Sequence, residues 1–169
     1  MTQAATTNGR QGQRELLSGK DEIRAAVIEA TGNARRALAI LTPDLEPEIY
    51  DHEAFLDALK RFILARSFAR VRVLITQPSK TLKSGNNFVA MARRLNSYIE
   101  FRHLKPQFGE RTDAFFIADE QSIIYRTRID SWDGMCDPCE PAVARYYLDS
   151  FDELWHACAT DEELRRSLL

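Results

Sequence analysis

The side chains able to attack, protonate, ligate or hold an anion concentrate between His103 and Cys158 of this 169-residue chain. His103-Leu104-Lys105, with Glu110 downstream, sets an imidazole, an ammonium and a carboxylate in one short run. On a strand, His103 and Lys105 would project from the same face and could address a phosphate. Pro106 directly after Lys105, and Gly109 close behind, favour a loop instead, where a histidine beside solvated charges needs no further role. Cys136-Asp137-Pro138-Cys139 has the two-residue gap of a zinc knuckle, with His156 and Cys158 downstream as further donors. Those last two lie two positions apart on a predicted helix, about 200° around its axis, and cannot share a metal unless the helix has ended. The reading is therefore no metal site, with zinc at Cys136 and Cys139 as the alternative. Arg111, Asp113, Arg126 and Arg128 supply forked cations and a carboxylate. Such groups either hold phosphate bidentately or pair with one another, and Asp113, Asp130 and Asp133 are the nearby partners for Arg126 and Arg128. The glycine-rich nucleotide loops, the nucleophile elbow and the paired-histidine zinc motif are absent, and no cofactor is expected.

The hydrophobic spacing says what must position these groups. Residues 21–34 carry Ile23, Ala26, Val27 and Ala30 at helical period, and 37–41 are a continuous apolar run, as in a strand covered on both faces. A helix over 51–66 and a strand over 71–75 complete a right-handed crossover, which makes the two strands parallel neighbours. The polar turn 77–85, with Lys80 and Lys83, follows at the C-terminal end of that strand, the edge where open α/β sheets bind ligands. A third helix is expected over 86–96, a strand over 98–102, and a hairpin of 114–118 and 122–125 around Asp119-Glu120-Gln121. A loop bearing Pro138 and the cysteines precedes a helix over 141–159, and Thr160 opens a short terminal helix. Paired carboxylates Asp119 and Glu120 sit in the turn, where solvation accounts for them.

Composition narrows the function classes. With 44% hydrophobic and 28% charged residues, the chain matches a single folded domain that needs no disulfide or metal. We expect a disordered tail over residues 1–12 and one domain over 13–169. No apolar run approaches the roughly 18 residues of a membrane span, residues 1–8 lack a signal-peptide block, and three cysteines suit a reducing cytoplasm. The net charge of −2 conceals an asymmetry. Residues 60–111 hold 12 Lys/Arg against 2 Asp/Glu, whereas 112–169 hold 5 against 13. The basic stretch, including Lys80, Lys83, Arg93 and Arg94, could form a nucleic-acid surface. Pairing with the acidic last third inside the fold is the simpler outcome, because the overall balance is not basic.

From Arg111 to Trp155 the chain resembles the second part of a phospholipase D-type half-domain, whose signature is His-x-Lys, four residues, Asp, a short hairpin, then Gly-Ser-x-Asn. Aligning 111–118 with the first element sets Tyr125-Arg126-Thr127-Arg128 on the second without a gap. Glu140 and Phe151-Asp152-Glu153-Leu154-Trp155 then stand where the family has an acidic residue and an aromatic-ended helix. The resemblance spans residues 20–160. It implies an α/β fold with a mixed, mainly parallel sheet and helices on both faces. In the family a histidine attacks phosphorus, a second protonates the leaving group, and lysine and asparagine hold the phosphate. Here Arg111 stands for His, Asp113 for Lys, Ala118 for Asp, Arg126 for Ser and Arg128 for Asn. Arginine stays protonated at neutral pH and can neither attack nor shuttle a proton.

The expected function is therefore a non-catalytic, cytoplasmic accessory module for an anionic, phosphate-bearing ligand or a protein partner. Its ligand-binding residues would be Arg111, Asp113, Arg126, Arg128, Lys80 and Lys83. The chain also resembles degenerate phospholipase D-like domains appended to bacterial N-acetyltransferases, which implies an acetyltransferase as the partner. Two alternatives stay open. One is a homodimeric phosphodiesterase using His103, Lys105 and Glu110, since single-motif family members build their site from two copies. The other is a basic nucleic-acid-binding surface. No membrane association is expected.

Overall fold

A computed structural model describes residues 13–78 and 86–158. The expected tail, Lys80, Lys83 and the terminal helix opened by Thr160 lie outside the described residues. In chain order the elements are β1 (Glu15–Ser18), α1 (Lys20–Asn33), β2 (Ala37–Thr42), α2 (Pro47–Tyr50), α3 (Glu53–Ala65), β3 (Arg70–Ile75), α4 (Asn87–Arg94) and β4 (Ile99–His103). A 3-10 turn (Pro106–Phe108) follows, then β5 (Ala114–Ala118), β6 (Ser122–Arg126), β7 (Asp133–Asp137) and α5 (Pro141–Ala157).

The seven strands form one mixed sheet in the order β1-β7-β6-β5-β2-β3-β4, so β5 is its centre. The strands alternate between two cores, as the period of two requires. On β2, Leu38 and Ile40 join Ile23 and Val27 of α1, Phe55 and Leu59 of α3 and Phe88 of α4 on the first face. Ala39 and Leu41 meet Ala144, Leu148, Phe151 and Trp155 of α5 on the second. Helices thus cover both faces, and the apolar run of β2 reflects burial on both sides.

The parallel share is smaller than expected. Only β2–β3 and β3–β4 run parallel, while β2–β5, β5–β6, β6–β7 and β1–β7 are antiparallel. Parallel neighbours need a crossover, which α2 and α3 supply between β2 and β3 and α4 between β3 and β4; β5, β6 and β7 follow one another through short connections, and α1 carries the chain from the outer strand β1 to β2. The expected cysteine-bearing loop is partly β7. Its sequence, Asp-Gly-Met-Cys-Asp, lacks apolar alternation, and pairing on both sides with β1 and β6 overrides that weak local signal. The helix expected over 51–66 is α3, which starts after His52, whose Nδ1 accepts from the Ala54 N–H to cap it, and the short α2 over Pro47–Tyr50 precedes it unexpected.

Charge pairing inside the fold absorbs part of the basic middle segment. Arg72 bonds Asp152 of α5 at 2.7 Å and lies over the Phe151 ring at 5.0 Å. Arg102 stacks on Trp155 at 4.3 Å and donates to the Trp155 carbonyl at 2.7 Å, satisfying an orphan group at the helix C-terminus.

The β5–β6 turn does more than meet solvent. Asp119 and Glu120 both have positive φ, 54° and 61°, and the Asp119 carboxylate reaches across to the α1–β2 connection. It accepts from the backbone N–H of Arg35 at 2.8 Å, Arg36 at 2.7 Å and Ala37 at 3.0 Å. Glu120 only pairs with Arg145 at a half-exposed site. Asp119→Ala should therefore cost at least about 2 kcal/mol, because three donors lose a charged acceptor. The thermal midpoint should fall by roughly 4–8 °C. Glu120→Ala should stay within about 0.5 kcal/mol. Equal effects in chemical denaturation would refute the clamp.

Candidate functional site

β2 and β3 run parallel and β5 runs against β2, so the C-terminal ends of β2 and β3, the start of β5 and the end of β6 share one edge of the sheet. Ala114 is paired with Arg126, and the residues from Arg111 onward lead directly into the central strand.

Arg111 and Asp113 form a bidentate pair, with Nε to Oδ1 and Nη2 to Oδ2 both at 2.9 Å. The two side chains are 27% and 15% exposed, so the carboxylate lies behind the guanidinium. Arg126 ends β6 and is buried. Its guanidinium pairs with Glu46, donates to the Ser131 carbonyl at 3.1 Å and lies over the Trp132 ring at 4.5 Å. Glu46 precedes α2 and also accepts from the Thr42 hydroxyl at 3.4 Å. Burial holds its carboxyl above the ordinary carboxylate value, against the pull of Arg126, and burial with the Glu46 charge beside it drives the Tyr50 phenol well up. The space left among Glu46, Tyr50, Ile23, Phe116 and Arg126 is about 10 Å³, room for a single water.

Arg128 lies beyond the strand and pairs with Asp130 at 2.7 Å in solvent, where such a pair contributes little. Arg126 and Arg128 therefore do not converge on one ligand. One turns inward to Glu46 and the other outward. On the second face, Tyr125 packs on Tyr147 with centroids 4.4 Å apart, and burial and the Tyr147 hydroxyl raise its pKa.

The other candidate groups are dispersed. His103 ends β4, the edge strand, three strand spacings from β5, or roughly 14 Å. Lys105 precedes the 3-10 turn and Glu110 is an exposed loop residue. The three do not share a strand face, because Pro106 starts the 3-10 turn after Lys105. Cys136 sits in β7 against the first-face core, Cys158 in the second-face core, and His156 is exposed on α5. Cys139 follows β7, its N–H donating to Asp137. The sheet itself separates the outer members of that set. Burial, with Glu15 and Glu29 nearby, pushes the Cys136 thiol up to about 11, away from a reactive thiolate. No three His, Cys, Asp or Glu residues gather as a metal cluster among the described residues.

Glu46, Trp132 and Gly134 carry the site and had no sequence signal. Glu46 lies in a loop 80 positions before its partner, and a glycine in a segment without apolar alternation reads as a turn. A Cβ on Gly134 would meet the Tyr125 carbonyl oxygen at 2.8 Å and Arg126 Cγ at 3.0 Å, so glycine is what lets β7 close over Arg126. Gly134→Ala should cost about 1–3 kcal/mol by overpacking. Gly32→Ala, which meets nothing within 4 Å on α1, should be neutral or stabilise by up to about 1 kcal/mol. Urea midpoints of the two variants check this, and the opposite order would refute it.

Comparison with solved structures shows the fold. A protein described as TrmBL2, an archaeal chromatin protein with a novel mode of DNA binding, superposes with TM-score 0.63 at 14% identity over 94% of this chain. This chain spans only 56% of that protein. Nuc from Salmonella typhimurium, a phospholipase D family member, gives 0.59 at 18% identity, covering 85% of this chain and 95% of its own. NucT from Helicobacter pylori gives 0.59 at 13%, covering 88% and 99%. No curated protein matches the chain. The architecture is thus that of the phospholipase D proteins. Over residues 19–167 the sequence fits the family described as "Domain of unknown function (DUF7931)", and the chain belongs to that family.

Proposed function

We propose that the chain is a non-catalytic phospholipase D-like module that works by binding a protein partner. The observation that carries this reading is the state of the cations at the sheet edge. Arg111, Arg126 and Arg128 each face a carboxylate, from Asp113, Glu46 and Asp130. A guanidinium already neutralised offers little to a phosphate, and Arg126 would have to leave a buried pair to reach one. The sequence substitutes arginine and aspartate for the attacking imidazole and the phosphate-holding ammonium, which removes nucleophile and proton shuttle together. This disfavours a phosphate-bearing ligand at Arg111, Asp113, Arg126 and Arg128; Lys80 and Lys83 lie outside the described residues. An acetyltransferase-type protein, suggested by the sequence resemblance, is the partner class to test first.

A nucleic-acid surface is the second reading. It is favoured by the exposed basic side chains Lys60, Arg61 and Arg94 on α3 and α4, and by the DNA-binding description of one structural relative.

Two assays separate these. The purified chain should not hydrolyse bis(p-nitrophenyl) phosphate, and His103→Ala should change nothing; turnover abolished by that substitution would establish the phosphodiesterase reading. A short DNA duplex at low salt should not bind. Affinity that falls steeply with salt and weakens evenly in Lys60→Ala and Arg94→Ala would replace partner binding with the nucleic-acid reading.

A further inference from the structure

β1 is an outer strand of the sheet, and its second face carries a groove of about 690 Å³ that runs over β7 and β6 to α5. Leu16, Tyr125, Met135, Val143, Tyr146 and Tyr147 make it apolar. Leu16 is 85% exposed and Tyr146 is 73% exposed, so two large side chains stand in solvent on one concave face. Clustering of that kind marks a contact surface, unlike scattered exposed residues.

The backbone of β1 is open on the same side. Gly19 N–H donates inward to the Trp132 carbonyl, so residues 17 and 15 also direct their main-chain groups toward β7, and Leu16 and Ser18 direct theirs outward. Glu22 takes the outward Ser18 N–H at 2.6 Å. Among the described residues, nothing pairs with the outward main-chain groups of Leu16, which can therefore pair with another strand.

Charge decides which strand. Arg14 and Asp133 both line the groove and, among the described residues, neither is engaged in an ion pair. Consider a second β1 antiparallel to the first about a two-fold axis at Leu16. Leu16 then lies opposite its own copy, and Arg14 lies opposite Ser18 of the other chain. Ser18 is itself paired with Asp133 on the same face. Arg14 of one copy is therefore two strand spacings, about 10 Å, from Asp133 of the other, within reach of an extended arginine. The symmetry makes the pairing twice over. An interface that matches opposite charges on the same patch is self-complementary, as a two-fold contact requires.

We propose that the outer edge of β1 and the adjoining groove form a two-fold interface with a second copy of this chain, with Leu16 and Tyr146 as its apolar centre and Arg14–Asp133 as its reciprocal ion pairs. The interface lies on the far side of β7 and β6 from the central strand. It keeps the two Arg111–Asp113 pairs roughly 30 Å apart, so this dimer does not assemble a composite site at the sheet edge.

Sedimentation equilibrium of the full chain tests it, with thermal melts confirming that each surface variant folds. The chain should be a dimer, and Leu16→Lys, Arg14→Asp and Asp133→Arg should each raise the dissociation constant at least about tenfold. The double variant Arg14→Asp with Asp133→Arg should recover most of the loss, because the swapped charges meet again across the axis. A monomer up to near-millimolar concentration overturns the proposal. So does a dimer that ignores Leu16→Lys, or a charge swap that fails to restore association.

Discussion

A guanidinium cannot be left alone in a protein interior, and the arrangement around Arg126 follows from that constraint. The residue ends β6 under α1 and α2, where a strand residue of that parity must enter the first core. Three partners compensate for its charge: the Glu46 carboxylate, the Ser131 carbonyl and the face of Trp132. Each comes from a connecting segment. Leu45, at φ 65°, turns the chain so that Glu46 faces inward, and Gly134 brings β7 close enough for the preceding loop to fold over the cation.

The two halves of the sheet serve different ends. The parallel half, β2 to β4, is a crossover scaffold held by large side chains on α3 and α4, with Phe55 and Phe88 stacked 5.6 Å apart. The antiparallel half holds Arg126 at the end of β6 and is led into by Arg111 and Asp113, and α5 spans both halves, its Phe151 ring meeting Phe115 of β5 and its Trp155 ring meeting Arg102 of β4. Asp119 joins the halves by clamping the start of β2 with the β5–β6 turn. The central strand is paired on both sides, and the sheet edge at Arg111 and Arg126 has its charges matched by Asp113 and Glu46.

Strong periods were legible in the chain. The runs of β2, β3, β5 and β6 and the stripes of α1, α3, α4 and α5 were all apparent, because each element buries a face and its apolar spacing follows. β1 and β7 were not, since a four-residue edge strand and a Gly-bearing strand have no period to read. The placement of Arg111 and Asp113 at the head of the central strand could be read by matching the hairpin to a known pattern. Arg126 pointed the wrong way in that reading: nearby Asp113, Asp130 and Asp133 were the obvious partners, whereas the real one, Glu46, lies across the fold. Short-range pairing such as Arg128–Asp130 is visible in sequence; a pair closed by tertiary packing is not.

The claim that Arg126 is a structural cation, committed to Glu46 and withdrawn from any ligand, is tested most directly by a double-mutant cycle on urea denaturation with Glu46→Gln and Arg126→Met. Each single change should destabilise by about 2–4 kcal/mol, because it strands a buried group, and the double change should cost less than the sum, with a coupling of at least about 1.5 kcal/mol. Additivity within about 0.5 kcal/mol would mean the two side chains do not depend on each other, and the account of a closed site would fail.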